Sequence, residues 1–172
     1  MALAQDENMA GGGFSLPRPR PNGPPYFGRN QVASALHQVG VLLELADANV
    51  FRIRSYQNGS RTLGTLTDDL WELVETGRLV EIKGIGKGLA SGIEQAMREG
   101  AWPSDWVDLH DNTPPGMLDM LDIPGLGPKR IRVMHEELGV ASIADLREAC
   151  ESGQVAELKG FGAKTQARLL DG

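Results

Sequence analysis

The chain has 172 residues, 23 acidic and 17 basic, for a formal net charge of −6, which allows one ordinary domain or two small ones and excludes a large α/β enzyme with a separate cofactor domain. Hydrophobic residues make up 41% and aromatics 5%, so the core is aliphatic, and no apolar run is long enough for a membrane span or a secretory signal. The acidic balance speaks against a wholesale polyanion binder, which ordinarily carries a basic surplus.

Residues 1–29 hold five of the ten prolines and the run Gly11-Gly12-Gly13, with almost no periodic apolar pattern. Such a composition buries too little surface to offset its ordering entropy, so a disordered tail is expected. Residues 30–100 read as helical. Asn30 is placed to cap a helix carrying Val32, Leu36, Val39, Leu43 and Ala46 at helical spacing. A second helix is expected from Asn49, with Phe51, Ile53, Tyr56 and Leu63 as its apolar contacts. Asp68 is expected to cap a third that Gly77 ends. Residues 101–116, with Pro103, Pro114, Pro115, Asp105, Asp108 and Asp111, read as a linker with one short helix around Trp106. Residues 117–172 predict further short helices at 117–121, 128–138, 142–152 and 163–170. No segment alternates as a strand does. The fold class is all-α: two small helical domains, 30–100 and 117–172, behind the tail. Cys150, the single cysteine, has no partner for an internal disulfide and fits a reducing cytoplasm.

One local pattern occurs three times. Ile82-Lys83-Gly84-Ile85-Gly86-Lys87-Gly88, Ile123-Pro124-Gly125-Leu126-Gly127-Pro128-Lys129 and Leu158-Lys159-Gly160-Phe161-Gly162-Ala163-Lys164 each open a helix; they are hairpins 1, 2 and 3 below. A tight turn needs glycine where a Cβ would force a strained or blocked backbone. The hydrophobic residue between the glycines anchors the turn between helices. What faces outward is a row of amide N–H groups at the positive end of a helix, with a lysine nearby, which suits an anion. Three copies, each with the same following helix, make a chance match far less credible than one would be.

These segments resemble helix-hairpin-helix motifs, which grip the DNA backbone without reading sequence. With Leu43-Glu44-Leu45 and Asn49-Val50-Phe51-Arg52-Ile53-Arg54-Ser55-Tyr56, the order of parts from Asn30 to Gly172 resembles the N-terminal region of family X DNA polymerases, the polymerase β-like group, most closely its bacterial branch. The resemblance implies that Gly84, Gly86, Lys87 and Gly88 form one backbone clamp and Gly125, Gly127, Lys129 and Arg130 another. Gly160, Gly162, Lys164 and Thr165 would form a third, at the point where the family turns toward its palm domain. Arg52, Arg54 and Tyr56 would line a pocket for a 5′-phosphate at a DNA gap. The carbonyls of Ile82, Ile85, Ile123 and Leu126 would hold a monovalent cation, Na⁺ or K⁺, with no other cofactor required.

Departures from the family pattern are as informative. The three palm carboxylates that hold Mg²⁺ for phosphoryl transfer are absent up to Gly172, so no polymerase activity is expected of this chain alone. Where lyase-active members carry the Schiff-base lysine, this chain has Gly92, and a supporting lysine position is Gly88. Lys87 is the nearest amine, and Arg52 stays protonated and cannot attack. The histidines His37, His110 and His135 show no metal-ligand spacing.

Three readings follow. The first is a sequence-independent DNA-binding module acting at gapped or nicked duplex in repair, cytoplasmic and nucleoid-associated, with no membrane partner. The second is the DNA-binding fragment of a family X polymerase, its palm absent or carried by a partner such as another repair protein. The third is a protein-interaction adaptor that has lost DNA affinity. The charge is distributed in a way that fits the first: residues 124–135 carry Lys129, Arg130 and Arg132 and no acid, while 31–77 and 101–116 each sum to −3.

Overall fold

The computed structural model describes residues 15–171, and among these the regular structure is entirely helical. Two long helices open the fold, α1 (Arg29–Leu45) and α2 (Val50–Thr65), packed along each other. α3 (Leu70–Glu75) and a 3₁₀ turn (Leu79–Glu81) lead into hairpin 1, followed by α4 (Lys87–Glu99) and α5 (Ser104–Asp111). Then come α6 (Pro115–Met120), hairpin 2, α7 (Pro128–Leu138), α8 (Ile143–Glu151), α9 (Gln154–Glu157), hairpin 3 and α10 (Ala163–Asp171). No helix among the described residues is long and apolar enough to cross a membrane.

Two apolar clusters hold these elements. The first gathers Val32, Leu36, Val39, Leu63, Leu79, Ile93 and Met97 with their neighbours, and Gly59 lets α2 come close where Leu36, Ile85 and Leu89 converge. The second gathers Met120, Leu126, Ile131, Met134, Leu146 and Cys150. α1 contributes to both, because Leu42 and Leu45 point into the second cluster. Burial raises the Cys150 thiol above its ordinary value, so it stays neutral in this core.

Several expectations need correction. Of the tail, residues 1–14 lie outside the described residues, but 15–28 form a docked strap rather than a disordered segment. Phe27 is fully buried, its ring 4.1 Å from that of Trp102. The Trp102 Nε1–H donates to the Pro17 carbonyl at 2.8 Å. The Tyr26 N–H donates to the Met97 carbonyl at 3.0 Å, so the strap satisfies a backbone acceptor that the end of α4 leaves open. A segment without regular structure orders here because it borrows its partners from α4 and the residues just after it.

The cap of α1 is Gly28, not Asn30, and the Gln31 side chain reaches back to accept from the Gly28 N–H at 2.9 Å. Asp69 rather than Asp68 caps α3, and α6 starts at Pro115 with proline in its first turn. Within 101–116 the expected helix around Trp106 is α5, and Trp102 and Trp106 dock this segment on the first cluster. Phe51, expected in the core, is 74% exposed.

Candidate nucleic-acid interface

The three hairpins share one local geometry. In each, the amide of the inter-glycine residue donates to the carbonyl three residues earlier: Ile85 to Ile82 at 3.0 Å, Leu126 to Ile123 at 3.0 Å, and Phe161 to Leu158 at 3.1 Å. The residue at the third turn position is Gly84, Gly125 or Gly160, with φ of +97°, +81° and +87°. That is the turn position that requires positive φ, and hence glycine. Ile85 and Leu126 are 3% exposed, so the first two turns are pinned to their cores. Phe161 is only partly buried, against the second cluster.

The helix starts that follow are where the chain leaves donors open. Gly86 caps α4 at φ −78° and ψ 168°, and Gly127 caps α7 at φ −85° and ψ 167°. Neither offers a side chain to the first-turn amides. By contrast, α2, α3 and α8 are capped by Asn49, Asp69 and Ser142, whose side chains accept first-turn N–H groups. Gly86, Gly88 and Gly127 face open space, with no atom within 4 Å of where a Cβ would stand. Their backbone angles suit any residue, so nothing inside the chain demands glycine there. Pro128, at the first position of α7, has no N–H, which leaves hairpin 2 one donor fewer than hairpin 1. Lys87 and Lys129 are exposed beside these two starts.

Hairpin 3 departs from the pair. Gly162 stands at φ +92° where its counterparts are extended, so α10 begins from a different backbone direction. Lys164 is exposed, but Thr165 is 9% exposed and its hydroxyl turns back to the Phe161 carbonyl at 3.3 Å. Arg130 lies between hairpins 2 and 3, donating to the Gly125 carbonyl at 3.0 Å with its guanidinium 5.8 Å from the Phe161 ring centre.

Beside hairpin 1 an open groove of about 590 Å³ is lined by Phe51, Arg54, Ser55 and Asn58 from α2 and by residues 80–86. Positions 51, 54, 55 and 58 are one face of a helix at i, i+3, i+4 and i+7. That spacing is the available signal for Phe51, Ser55 and Asn58, which with Val80 and Glu81 are groove residues that the motif alone does not reveal. Thr62 supports the wall, its hydroxyl donating to the Lys83 carbonyl at 3.4 Å.

Arg52, Arg54 and Tyr56 do not meet at one place. Arg54 lines the groove, while Arg52 pairs with Asp105 of α5 at 3.3 Å and Tyr56 is buried edge-on against Trp106, ring centres 5.5 Å apart. Burial raises the Tyr56 phenol, against the lowering effect of its hydrogen bond with Arg52. Gly92 faces the same helix: a Cβ there would stand 2.9 Å from Trp106 Cζ2 and 3.1 Å from Pro103 Cγ. Gly92→Ala is therefore expected to destabilise the fold by about 1–3 kcal/mol through overpacking, read as a lower Tm, and Gly92→Lys by more.

The carbonyl oxygens of Ile82 and Ile123 each accept one turn hydrogen bond, from the amides of Ile85 and Leu126. This donor set is neutral backbone oxygen; no group of three or more His, Cys, Asp or Glu that suits a metal occurs among the described residues. Neutral carbonyls fit a singly charged hard cation better than a transition metal.

Comparison with known proteins agrees with the geometry. A helix-hairpin-helix domain family matches residues 28–101, and a SAM-like helix-hairpin-helix tandem family matches residues 117–172. The chain is 32% identical over 142 residues, 83% of its length, to the DNA polymerase/3′-5′ exonuclease PolX of Bacillus subtilis (strain 168), and it spans 24% of that protein. It is an all-α protein built of helix-hairpin-helix domains, similar over most of its length to a PolX segment.

Proposed function

We propose that this protein binds DNA by its phosphate backbone, without reading base sequence, at gapped or nicked duplex. Hairpins 1 and 2 act as paired clamps through Gly84, Gly86, Lys87 and Gly88 and through Gly125, Gly127 and Lys129. The observation that carries the reading is the pair of helix starts at Gly86 and Gly127 that have no side-chain cap, open to solvent and flanked by exposed lysines. Amides at the positive end of a helix select an oxyanion, and the missing Cβ lets a backbone phosphate approach to hydrogen-bond distance. Contacts of this kind position a protein on DNA and carry no sequence information. The similarity to a protein named as a DNA polymerase and exonuclease supports DNA as the partner. A net charge of −6 is compatible, since amides rather than a basic surplus do the binding.

Arg54 and Lys83 supply two cations in the groove beside hairpin 1, and Phe51 supplies a flat apolar rim. Together they suit a terminal phosphate with an unstacked base beside it. Hairpin 3 adds a weaker contact through Gly160, Gly162 and Lys164. The carbonyls of Ile82 and Ile85, and of Ile123 and Leu126, would hold Na⁺ or K⁺, adding positive charge next to the bound phosphate.

Binding measured across a salt series is expected to weaken with a log–log slope of about −2 to −3, for two or three phosphates engaged. A gapped duplex with a 5′-phosphate is expected to bind more tightly than the same duplex without it. Equal affinity for the two removes gap recognition. Affinity that does not change with salt removes phosphate binding altogether.

A further inference from the structure

Hairpins 1 and 2 are anchored in different cores, yet one helix runs beneath both. Leu36 of α1 meets Ile85, the anchor of hairpin 1, over Gly59, while Leu42 and Leu45 lie in the cluster that holds Leu126, the anchor of hairpin 2. Leu36 and Leu45 are nine positions apart, about 14 Å along a helix axis. The α1–α2 turn makes a second connection. Asp47 stands just past the end of α1 at φ +51°, a left-handed position that glycine usually fills. Its carboxylate accepts from Arg132 Nη1 on α7, the helix that hairpin 2 opens. The Arg132 side chain is only 21% exposed, and its Nε, which has no hydrogen-bond partner among the described residues, lies 3.9 Å from Glu136 Oε1. Arg132 is the sheltered partner of this pair and Asp47 the exposed one, at 72%, so the contact joins α7 to the surface of the α1–α2 turn.

We propose that Asp47–Arg132 is a positioning latch that locks hairpin 2 to the α1–α2 turn, so that hairpins 1 and 2 address one DNA molecule as a fixed pair. The ligand rests on the DNA-backbone reading above, whereas the latch itself does not. Arg132 then belongs to the frame rather than to the phosphate surface, although it shares a basic segment with Lys129 and Arg130. With the spacing fixed, engagement of the second hairpin is intramolecular and occurs at high effective concentration. A hinged frame loses that advantage. The favoured partner is a DNA whose backbone presents two phosphates at the spacing of the frame, because a preformed geometry avoids the ordering cost of binding.

Spin labels on Glu75→Cys and Glu148→Cys, in a Cys150→Ala background of the full chain, report the distance between the two cores with no DNA present. Arg132→Met and Asp47→Gly are each expected to widen that distance distribution about twofold or more. Glycine accepts the left-handed turn, so Asp47→Gly removes the latch and keeps the backbone. Both variants are expected to bind a duplex long enough to meet both hairpins about 10-fold more weakly. A duplex too short to reach the second hairpin should bind them and the unmodified protein equally. An unchanged distance distribution in both variants overturns the latch. A widened distribution with unchanged affinity for the long duplex overturns the fixed pair. If the unmodified protein binds neither duplex, the DNA reading fails, and the distances still decide the latch.

Discussion

Gly86→Asp and Gly127→Asp, made singly, are expected to leave the protein at least as stable as before while lowering its DNA affinity about 100-fold. The two effects separate because the backbone at both positions already has the extended conformation of a helix cap, φ −78° and ψ 168° at Gly86, φ −85° and ψ 167° at Gly127. Aspartate is among the best capping residues, and replacing glycine with it at a cap gains about a few tenths of a kcal/mol. Neither site has an atom within 4 Å of the new Cβ, so no clash offsets that gain. The carboxylate then accepts the first-turn amides that the proposed function assigns to phosphate, and it repels the phosphate as well. Hydrogen bonds to a charged group contribute about 1.5–3 kcal/mol each, so the loss of one or two comes to about 3 kcal/mol, or 100-fold. Thermal denaturation and fluorescence anisotropy with a labelled duplex read the two quantities separately. Undiminished affinity in both variants would show that these amides are not the phosphate ligands. Hairpin 3 supplies an internal contrast: at φ +92°, Gly162 cannot take aspartate without strain, so Gly162→Asp lowers stability where the other two do not.

The hairpins were legible in the sequence because their geometry is encoded locally. A glycine at the third turn position fixes the turn, and the apolar residue after it anchors the turn, so four or five consecutive residues carry the whole signal. Capping and periodicity placed the longer helices to within a residue or two, whereas the caps of α1 and α3 and the start of α6 shifted, and α9, whose four residues span barely one turn, left no signal. What escaped depends on partners distant in the chain. Arg52, Arg54 and Tyr56 look like one basic-aromatic group, but on a helix Arg52 and Tyr56, four positions apart, share a face, which here meets Asp105 and Trp106, while Arg54, two positions from each, lies on the groove side. Phe51 looks like a core residue on its chemistry, but its spacing with Arg54, Ser55 and Asn58 marks it as part of an exposed face. Gly92 reads as a missing lysine by resemblance. In the fold it is the place where α5 needs room for the Trp106 ring, so the same residue serves packing.

The strap at residues 15–28 is where composition and structure diverge most, and Phe27→Ala distinguishes them. A disordered tail would tolerate the change within the usual ±0.5 kcal/mol of an exposed position. The docked strap predicts a loss of about 3–5 kcal/mol, the range for emptying a buried phenylalanine site. Phe27 is fully buried against Trp102, and Trp102 is itself stacked with Trp106 at a 5.8 Å ring separation, so the cavity would open at the centre of an aromatic group. Loosening the strap also withdraws the Pro17 carbonyl from the Trp102 Nε1–H, a nearly buried donor that costs about 1–3 kcal/mol when left unpaired. Set against a typical domain stability of about 5–15 kcal/mol, this is a large fraction of the total. At about 2–4 °C per kcal/mol for a chain of this size, the Tm is expected to fall by about 10 °C. Arg18→Ala, on the same strap but exposed, is the control and should melt with the parent. A Phe27→Ala protein that also melts with the parent would mean that the strap does not dock and that the compositional reading of the tail was right. The expected result instead makes these residues part of the first domain, whose aromatic core includes Phe27 and whose α4 carries hairpin 1 at one end and the strap at the other.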